Sequence, residues 1–336
     1  MNGFVTMDHG SGGVKTSELI DSLLRPAFAN AALDALGDGA LLPVPGAKQM
    51  AFSTDSFVVQ PIEFPGGDIG KLAVCGTVND LAMCGAKPLW LSLSMILEEG
   101  LPLETLERVV RSIADTAKAA GVMIVTGDTK VVERGHGDGI YLNTAGVGTV
   151  ECEGLTPDAI RVGDKVIVTG PVGDHGAAVM LARSDLGMES DFVSDCMPLH
   201  ELARAAWTAA QGGLRVLRDA TRGGVATTLC EFAEGRDFSI VLKACCVPVR
   251  PQVRAVCELL GLDPLYCANE GRMLAVVAPD KAQAVLDALR AAPGGEGAAI
   301  IGEVDARWPG KVTLENEYGA NRIITKLTGA QLPRIC

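Results

Sequence analysis

Apolar residues at Leu103, Leu106, Val109, Val110, Ile113 and Ala117 recur every three or four positions, so they trace one face of a helix predicted over Pro102–Ala120. Pro102 suits the first turn, Glu104 and Glu107 face the positive end of the helix dipole, and Gly121 ends the segment. The apolar run Val122–Val125 then predicts a short buried strand that opens into Thr126-Gly127-Asp128-Thr129-Lys130. Strand-like runs and helical periodicity alternate in this way along the whole chain, which predicts an α/β (α+β) arrangement. Between strands predicted at Gly139–Val150 and Lys165–Thr169, residues Glu151–Gly163 bring acidic side chains, Pro157 and two glycines. The domain boundary is set there, giving domains at 1–155 and 156–327 and a tail at 328–336. The second half follows a similar scheme without enough identity to make a repeat.

A length of 336 residues suits two ordinary cores better than one, and 48% hydrophobic residues supply them. Aromatic residues make up only 4% and the net charge is -12, whereas a nucleic-acid surface needs clustered lysine and arginine with stacking rings. Nucleic acid is therefore not an expected partner. The start of the chain, with Asp8, His9 and glycines, lacks the basic and apolar stretches of a signal peptide. The most apolar window, Leu89–Leu97, is nine residues long and contains Ser92 and Ser94, too short and too polar for a membrane span. The ten cysteines form no C-x-x-C pair and the four histidines no H-E-x-x-H, so neither zinc nor a dithiol centre is indicated. A reducing cytoplasm is expected, with Cys75, Cys84, Cys196 and Cys245 as packing residues.

Candidate chemistry gathers at polar turns. Asp55, Asp80 and Asp128 are each read as ending a strand-like run, and hard carboxylate oxygens so placed suit magnesium shared with phosphates, or else cap a following turn or helix. Glycine turns that offer backbone N–H groups to phosphate stand at His9-Gly10-Ser11-Gly12-Gly13 and at Asp219-Ala220-Thr221-Arg222-Gly223-Gly224, the latter before a helix predicted from Val225 to Ala233. The first is not a P-loop, since Val14 and His9 occupy the positions that need glycine. Asp174-His175-Gly176 follows a strand and either lines a site or forms a turn. Cys336 ends the tail Leu332-Pro333-Arg334-Ile335-Cys336, and the stretch from Thr328 could extend about 30 Å, enough to carry a thiol into an active site as a substrate arm.

The motifs Ser53-Thr54-Asp55-Ser56, Asn79-Asp80, Gly127-Asp128-Thr129-Lys130, Asp219–Gly224 and Asn269-Glu270-Gly271 resemble, in order and spacing over essentially the whole chain, the ATP-binding superfamily of aminoimidazole ribonucleotide synthetase, selenophosphate synthetase and thiamine monophosphate kinase. The opening His9–Gly13 and the ending Pro333-Arg334-Ile335-Cys336 are similar to its hydrogenase-maturation branch, the HypE carbamoyl dehydratases. Selenophosphate synthetases carry a reactive residue just before the lysine of the N-terminal loop, where Gly13 and Val14 stand here before Lys15. The resemblance implies a two-domain PurM-like fold, with an N-terminal sheet that dimerises, a C-terminal α/β domain and an ATP site between them. It further implies ATP-dependent dehydration of an S-carboxamide on Cys336 to an S-cyanate. Mg2+ would be held by Asp55, Asp80 and Asp128, and ATP by Ser11, Gly12, Gly13, Asn79, Thr129, Asp219, Thr221, Gly223 and Gly224 together with those aspartates. Lys130 and Glu270 are the candidate bases, both expected in polar turns, with Glu270 the better suited because lysine is normally protonated. The implied partners are HypF, which loads the carbamoyl group, the HypC–HypD complex, which accepts cyanide, and a second copy of the chain. A small-molecule phosphotransferase of the thiamine monophosphate kinase type and a non-catalytic cysteine carrier are the competing readings.

Overall fold

The computed structural model describes residues 4–6, 19–30, 49–183, 192–326 and 334–336. The chain divides into two compact units. The first comprises residues 1–81 and 86–150 with Cys336, and the second residues 82–85 and 151–335.

In the first unit, β1 (Met50–Phe57), β2 (Ala86–Glu98), β3 (Met123–Val132) and β4 (Ile140–Val150) form a four-stranded sheet in the order β1-β4-β2-β3. All neighbours are antiparallel except β2 and β3, which are parallel and joined through helix α2 (Leu103–Ala119). The buried face of α2 is the one that the periodicity predicts: Leu103, Leu106, Val109, Val110, Ile113 and Ala117. Helix α1 (Ile69–Met83) lies against one face of the sheet, where the buried Thr144 of β4 donates to the Ala73 carbonyl at 2.8 Å and meets Thr77 Oγ1 at 2.6 Å. The other face, the more open one among the described residues, carries exposed apolar side chains. Phe52 is 71% exposed, and Ile96 and Met123 are also exposed on it.

Two elements depart from the sequence expectation. Residues Val74–Leu81 belong to a helix rather than to a strand-like run. Leu72, Ala73, Val74, Cys75, Val78, Leu81 and Ala82 are fully buried, so the helix is apolar around much of its circumference and shows no amphipathic stripe to separate it from a buried strand. The strand predicted at Val122–Val125 continues to Val132, so Asp128 and Lys130 lie within β3 rather than in a turn beyond it.

The second unit is a seven-stranded sheet built from β5 (Lys165–Val168), β6 (Leu214–Asp219), β7 (Ser239–Lys243), β8 (Met273–Val277), β9 (Ala299–Asp305), β10 (Val312–Glu315) and β11 (Asn321–Ile324), in the order β11-β10-β7-β9-β5-β8-β6. Alternate residues of β8 feed two cores. Leu274 and Val276 join Val166, Val168 and helix α5 (Gly224–Ala233), whereas Met273, Ala275 and Val277 join Ile167 and helices α4 (His200–Ala210) and α7 (Ala282–Ala291). A strand covered on both faces reads as one continuous apolar run, and each fully buried aliphatic side chain contributes about 1.5–3 kcal/mol. Helix α3 (Asp174–Arg183) packs through Ala177, Ala178 and Leu181 against Val253, Val256 and Cys257 of α6 (Pro251–Leu260). Cys84 and Cys245 are exposed, contrary to the expectation that they pack, while Cys75 and Cys196 are buried.

Candidate functional site

Asp55 and Asp80 both lie at the seam between β1 and α1. Ser53 Oγ donates to Asp80 Oδ2 at 2.6 Å, and Asp55, two residues along the same face of β1, accepts from the Ser56 N–H at 2.8 Å through its own Oδ1. Gly76 stands one helical turn before Asp80. A Cβ there would lie 2.8 Å from the Phe57 ring and 3.6 Å from Asp55 Oδ2, so the missing side chain is what lets the strand approach the helix. Asn79 is buried beside this seam in the chain, and Thr129 is half-buried.

Asp128 does not join them. It pairs in register with Ser94, which pairs with Asn143, which pairs with Ser56; these residues share the open face of the sheet. Asp55 belongs to the neighbouring row, Thr144, Leu93 and Gly127, on the helix-covered face. Lys130 is on the open face with Asp128 and donates to its Oδ1 at 2.8 Å, a bond that holds the Asp128 carboxyl below the usual range. Both side chains are more than half exposed, and such a pair adds little to stability. The three-aspartate cradle expected from the sequence is thus not assembled within this chain, and among the described residues no group of three or more His, Cys, Asp or Glu is placed to hold a metal. Two carboxylates and a serine hydroxyl at the β1–α1 seam do fit a hard cation that takes its remaining oxygens from phosphate and water. Ser11, Gly12 and Gly13 lie outside the described residues.

In the second unit, β6 ends at the buried Asp219 and the chain turns through Thr221 into α5. The Gly224 N–H donates to the Thr221 carbonyl at 2.9 Å. Gly223 and Gly224 adopt φ of 79° and 59°, and a Cβ on Gly224 would stand 2.5 Å from the Leu265 carbonyl oxygen and 2.6 Å from that of Cys267. Only glycine allows both the left-handed backbone and this approach, and the turn leaves backbone N–H groups at a helix N-terminus, as an anion site requires. Asn269, fully buried, ties the turn to its neighbours. Its Oδ1 accepts from the Gly173 N–H at 2.8 Å, and its Nδ2 donates to the Ala220 carbonyl at 2.9 Å and the Cys267 carbonyl at 3.1 Å.

Glu270 follows, buried, in a loop rather than a solvated polar turn. Its N–H donates to Asp195 Oδ1 at 3.0 Å. The guanidinium of Arg272 lies 3.6 Å from Asp195 Oδ2 and 4.0 Å from Asp174 Oδ2, and Arg250 donates to Asp174 at 2.8 Å. Burial pushes both carboxyls above the usual carboxylate range; the arginines pull the other way, and the nearby Asp195 charge adds to the rise at Asp174. On α3, His175 Nδ1 lies 2.8 Å from Ser194 Oγ, and His175 Nε2 lies 2.8 Å from the Ile335 carbonyl oxygen. Arg183, two turns along α3, donates to the Arg334 carbonyl. In the first unit the Cys336 carbonyl accepts from the Val58 N–H at 3.1 Å.

Sequence reading missed Asn269 as an organiser, and with it Asp195, Ser194, Arg250 and Arg272. Asn269-Glu270-Gly271-Arg272 does stand out as a polar stretch before an unbroken apolar strand. Ser194 and Asp195 lie in an irregular segment with no periodicity to mark them.

The profile of the AIR synthase related protein N-terminal domain matches residues 36–150, and that of the C-terminal domain residues 161–315. Carbamoyl dehydratase HypE of Rhodobacter capsulatus is 48% identical over 335 residues, spanning 99% of this chain and 98% of its own. The crystal structure of hydrogenase maturation protein HypE in complex with ATP superposes with a TM-score of 0.93 at 45% identity, covering 98% of this chain and 99% of that one. HypE in the HypE–HypF complex superposes with a TM-score of 0.79 at 44% identity, covering 92% and 99%. The chain belongs to the AIR synthase related proteins and, within them, to the HypE family of hydrogenase maturation proteins.

Proposed function

We propose that this chain is an ATP-dependent carbamoyl dehydratase that acts on a carboxamide carried by its own Cys336. The observation that carries this reading is the similarity to carbamoyl dehydratase HypE along the whole chain. The reaction would begin with –S–C(=O)–NH2 on Cys336. The amide oxygen attacks the γ-phosphorus of ATP as one N–H proton leaves, giving an O-phosphorylated imidate and ADP. Loss of the second N–H proton with expulsion of phosphate leaves –S–C≡N. The amide oxygen departs in the phosphate, and no oxidant or reductant is consumed.

ATP is poorly reactive until the charge on its transferring phosphoryl group is spread, and Mg2+ supplies that when bound. Asp55 and Asp80 are the residues that would hold it. The turn Asp219–Gly224, with Thr221, Gly223 and Gly224, and the segment with Ser11, Gly12 and Gly13 would offer N–H groups to phosphate, with Asn79 and Thr129 as further ATP contacts. Glu270 is the base we favour, and its backbone is fixed by Asp195 and Met197. Lys130, already paired with Asp128, suits phosphate or the amide oxygen better than proton abstraction.

We assign ATP binding and dimerisation to residues 1–155, the second α/β domain to 156–327 and the substrate arm to 328–336. A second copy would cover the open sheet face, where Phe52, Val147, Trp90 and Met123 form one row across the four strands. Asp128 and Lys130 would then serve a site from across that interface. HypF, seen with a relative, would load the carbamoyl group, and the HypC–HypD complex would accept the cyanide. A cytoplasmic setting fits a chain whose ten cysteines are all free thiols. Among the described residues no helix is long and apolar enough to cross a membrane. The test is phosphate release from ATP before and after carbamoyl loading. Release that appears only after loading, and not in Cys336→Ala, is expected; release indifferent to both would refute the assignment.

A further inference from the structure

The tail is held by hydrogen bonds whose directions are fixed by chemistry. The Ile335 carbonyl can only accept, so His175 Nε2 carries the proton that it shares with that oxygen at 2.8 Å. His175 Nδ1 then has a lone pair and accepts from the Ser194 hydroxyl at 2.8 Å. Ser194 Oγ in turn accepts from the Cys196 N–H at 3.1 Å, which orients the hydroxyl. His175, Ser194 and Ile335 are all buried. Eight residues along α3, Arg183 donates to the preceding carbonyl, that of Arg334. Just ahead of the first held carbonyl the chain bends through Arg334 at φ 53°, a left-handed backbone that a non-glycine residue keeps only where its surroundings fix it.

We propose that His175 is a positioning residue for the dehydration reaction: with Arg183 it forms a latch on α3 that grips the backbone of the tail and so sets the position of the Cys336 side chain. The proposal rests on the reading of Cys336 as the substrate-bearing residue. Both acceptors are main-chain oxygens, so the latch does not read the chemical state of the cysteine. It holds thiol, carboxamide and cyanate forms alike, and it releases them by exchanging two hydrogen bonds with water. A side-chain lock would have to discriminate among those states. Burial lowers the His175 pKa to about 4, with the nearby Arg183 charge adding to the fall and the bond to Ile335 opposing it, so the imidazole stays neutral and keeps this tautomer.

The experiment follows alkylation of Cys336 by iodoacetamide in the full-length protein, resolved from the other cysteines on the Lys-C peptide that follows Lys326. In His175→Ala the loss of a buried hydrogen bond should raise the alkylation rate about tenfold. His175→Gln, which keeps an N–H near the Nε2 position, should stay near wild type. Ser194→Ala should fall between, and it serves as the second variant if His175→Ala does not fold. With carbamoylated protein, His175→Ala should lower kcat while leaving KM for ATP and the extent of carbamoyl loading unchanged. Equal alkylation rates in wild type and His175→Ala would overturn the latch, as would a glutamine variant as fast as alanine. If the wild-type protein never dehydrates its carboxamide, the proposed function fails while the alkylation contrast still stands, so the two failures are distinguishable.

Discussion

Asp128 projects from the face of its sheet opposite to Asp55, and a single residue, Val125, puts it there. Leu91 pairs with Ile124 but Ser92 pairs with Thr126, so Val125 is an extra residue in β3. One inserted residue reverses the facing of every side chain beyond it. Without it, Asp128 and Lys130 would point toward the helices with Ile124; with it, they reach the open face.

Two carboxylates on opposite faces of one sheet cannot share a cation within one chain, so the proposed common site would take Asp128 from a second copy. Asp80→Asn and Asp128→Asn should each be inactive as pure proteins. Subunits mixed in equal amounts should recover about one quarter of wild-type dehydration, because half the dimers hold one intact site of two. Recovery absent after verified subunit exchange would mean that Asp128 does not complete a site across the interface.

Arg272 stands between two buried carboxylates, and removing one partner of such a cluster leaves charge without compensation. Arg272→Ala is expected to destabilise the second unit by about 3–5 kcal/mol, read as a fall in the urea midpoint. Adding Asp195→Asn should restore part of the loss. A change within about 0.5 kcal/mol, the scatter of ordinary surface substitutions, would show that the cluster is not held as described.

Gly224→Ala brings a Cβ against two carbonyl oxygens at a positive φ. A loss of about 1–3 kcal/mol is expected, with weaker ATP binding by calorimetry because the turn must open. Unchanged stability and affinity would remove this turn from the phosphate site.

The depressed pKa of His175 links stability to pH. Its contribution is fully present above the unfolded value of 6.5 and is lost as pH falls toward about 4, because the unfolded chain takes up the proton first. The loss integrates to about 3 kcal/mol at 1.36 kcal/mol per unit. His175→Gln should flatten the stability profile between those limits. An unchanged slope would show that other groups carry it.

Much of the fold was legible because pattern and burial agree: α2 shows its stripe, and the glycine turn before α5 carries residues that only such a turn requires. Helix α1 reads as a strand in the sequence because it is buried nearly all round, which removes the contrast that periodicity depends on. The site was legible as a set of residues but not as an arrangement. Nothing in Met123–Val132 marks Val125 as a bulge, so the side of the sheet from which Asp128 acts could not be foreseen. Asn269 and Arg272 act through backbone carbonyls and buried charges contributed by distant segments, which only the folded chain brings together.

The proposed chemistry stands or falls with Cys336 as the carrier of the group that is dehydrated. Intact-protein mass spectrometry after loading by the carbamoyltransferase with carbamoyl phosphate tests this most directly. The loaded species should lose the mass of one water when Mg-ATP is added, and Cys336→Ala should neither load nor change. A protein that loads on Cys336 yet keeps that water with ATP present would be a carrier whose chemistry is done elsewhere, which would contradict the assignment of this chain as the dehydratase.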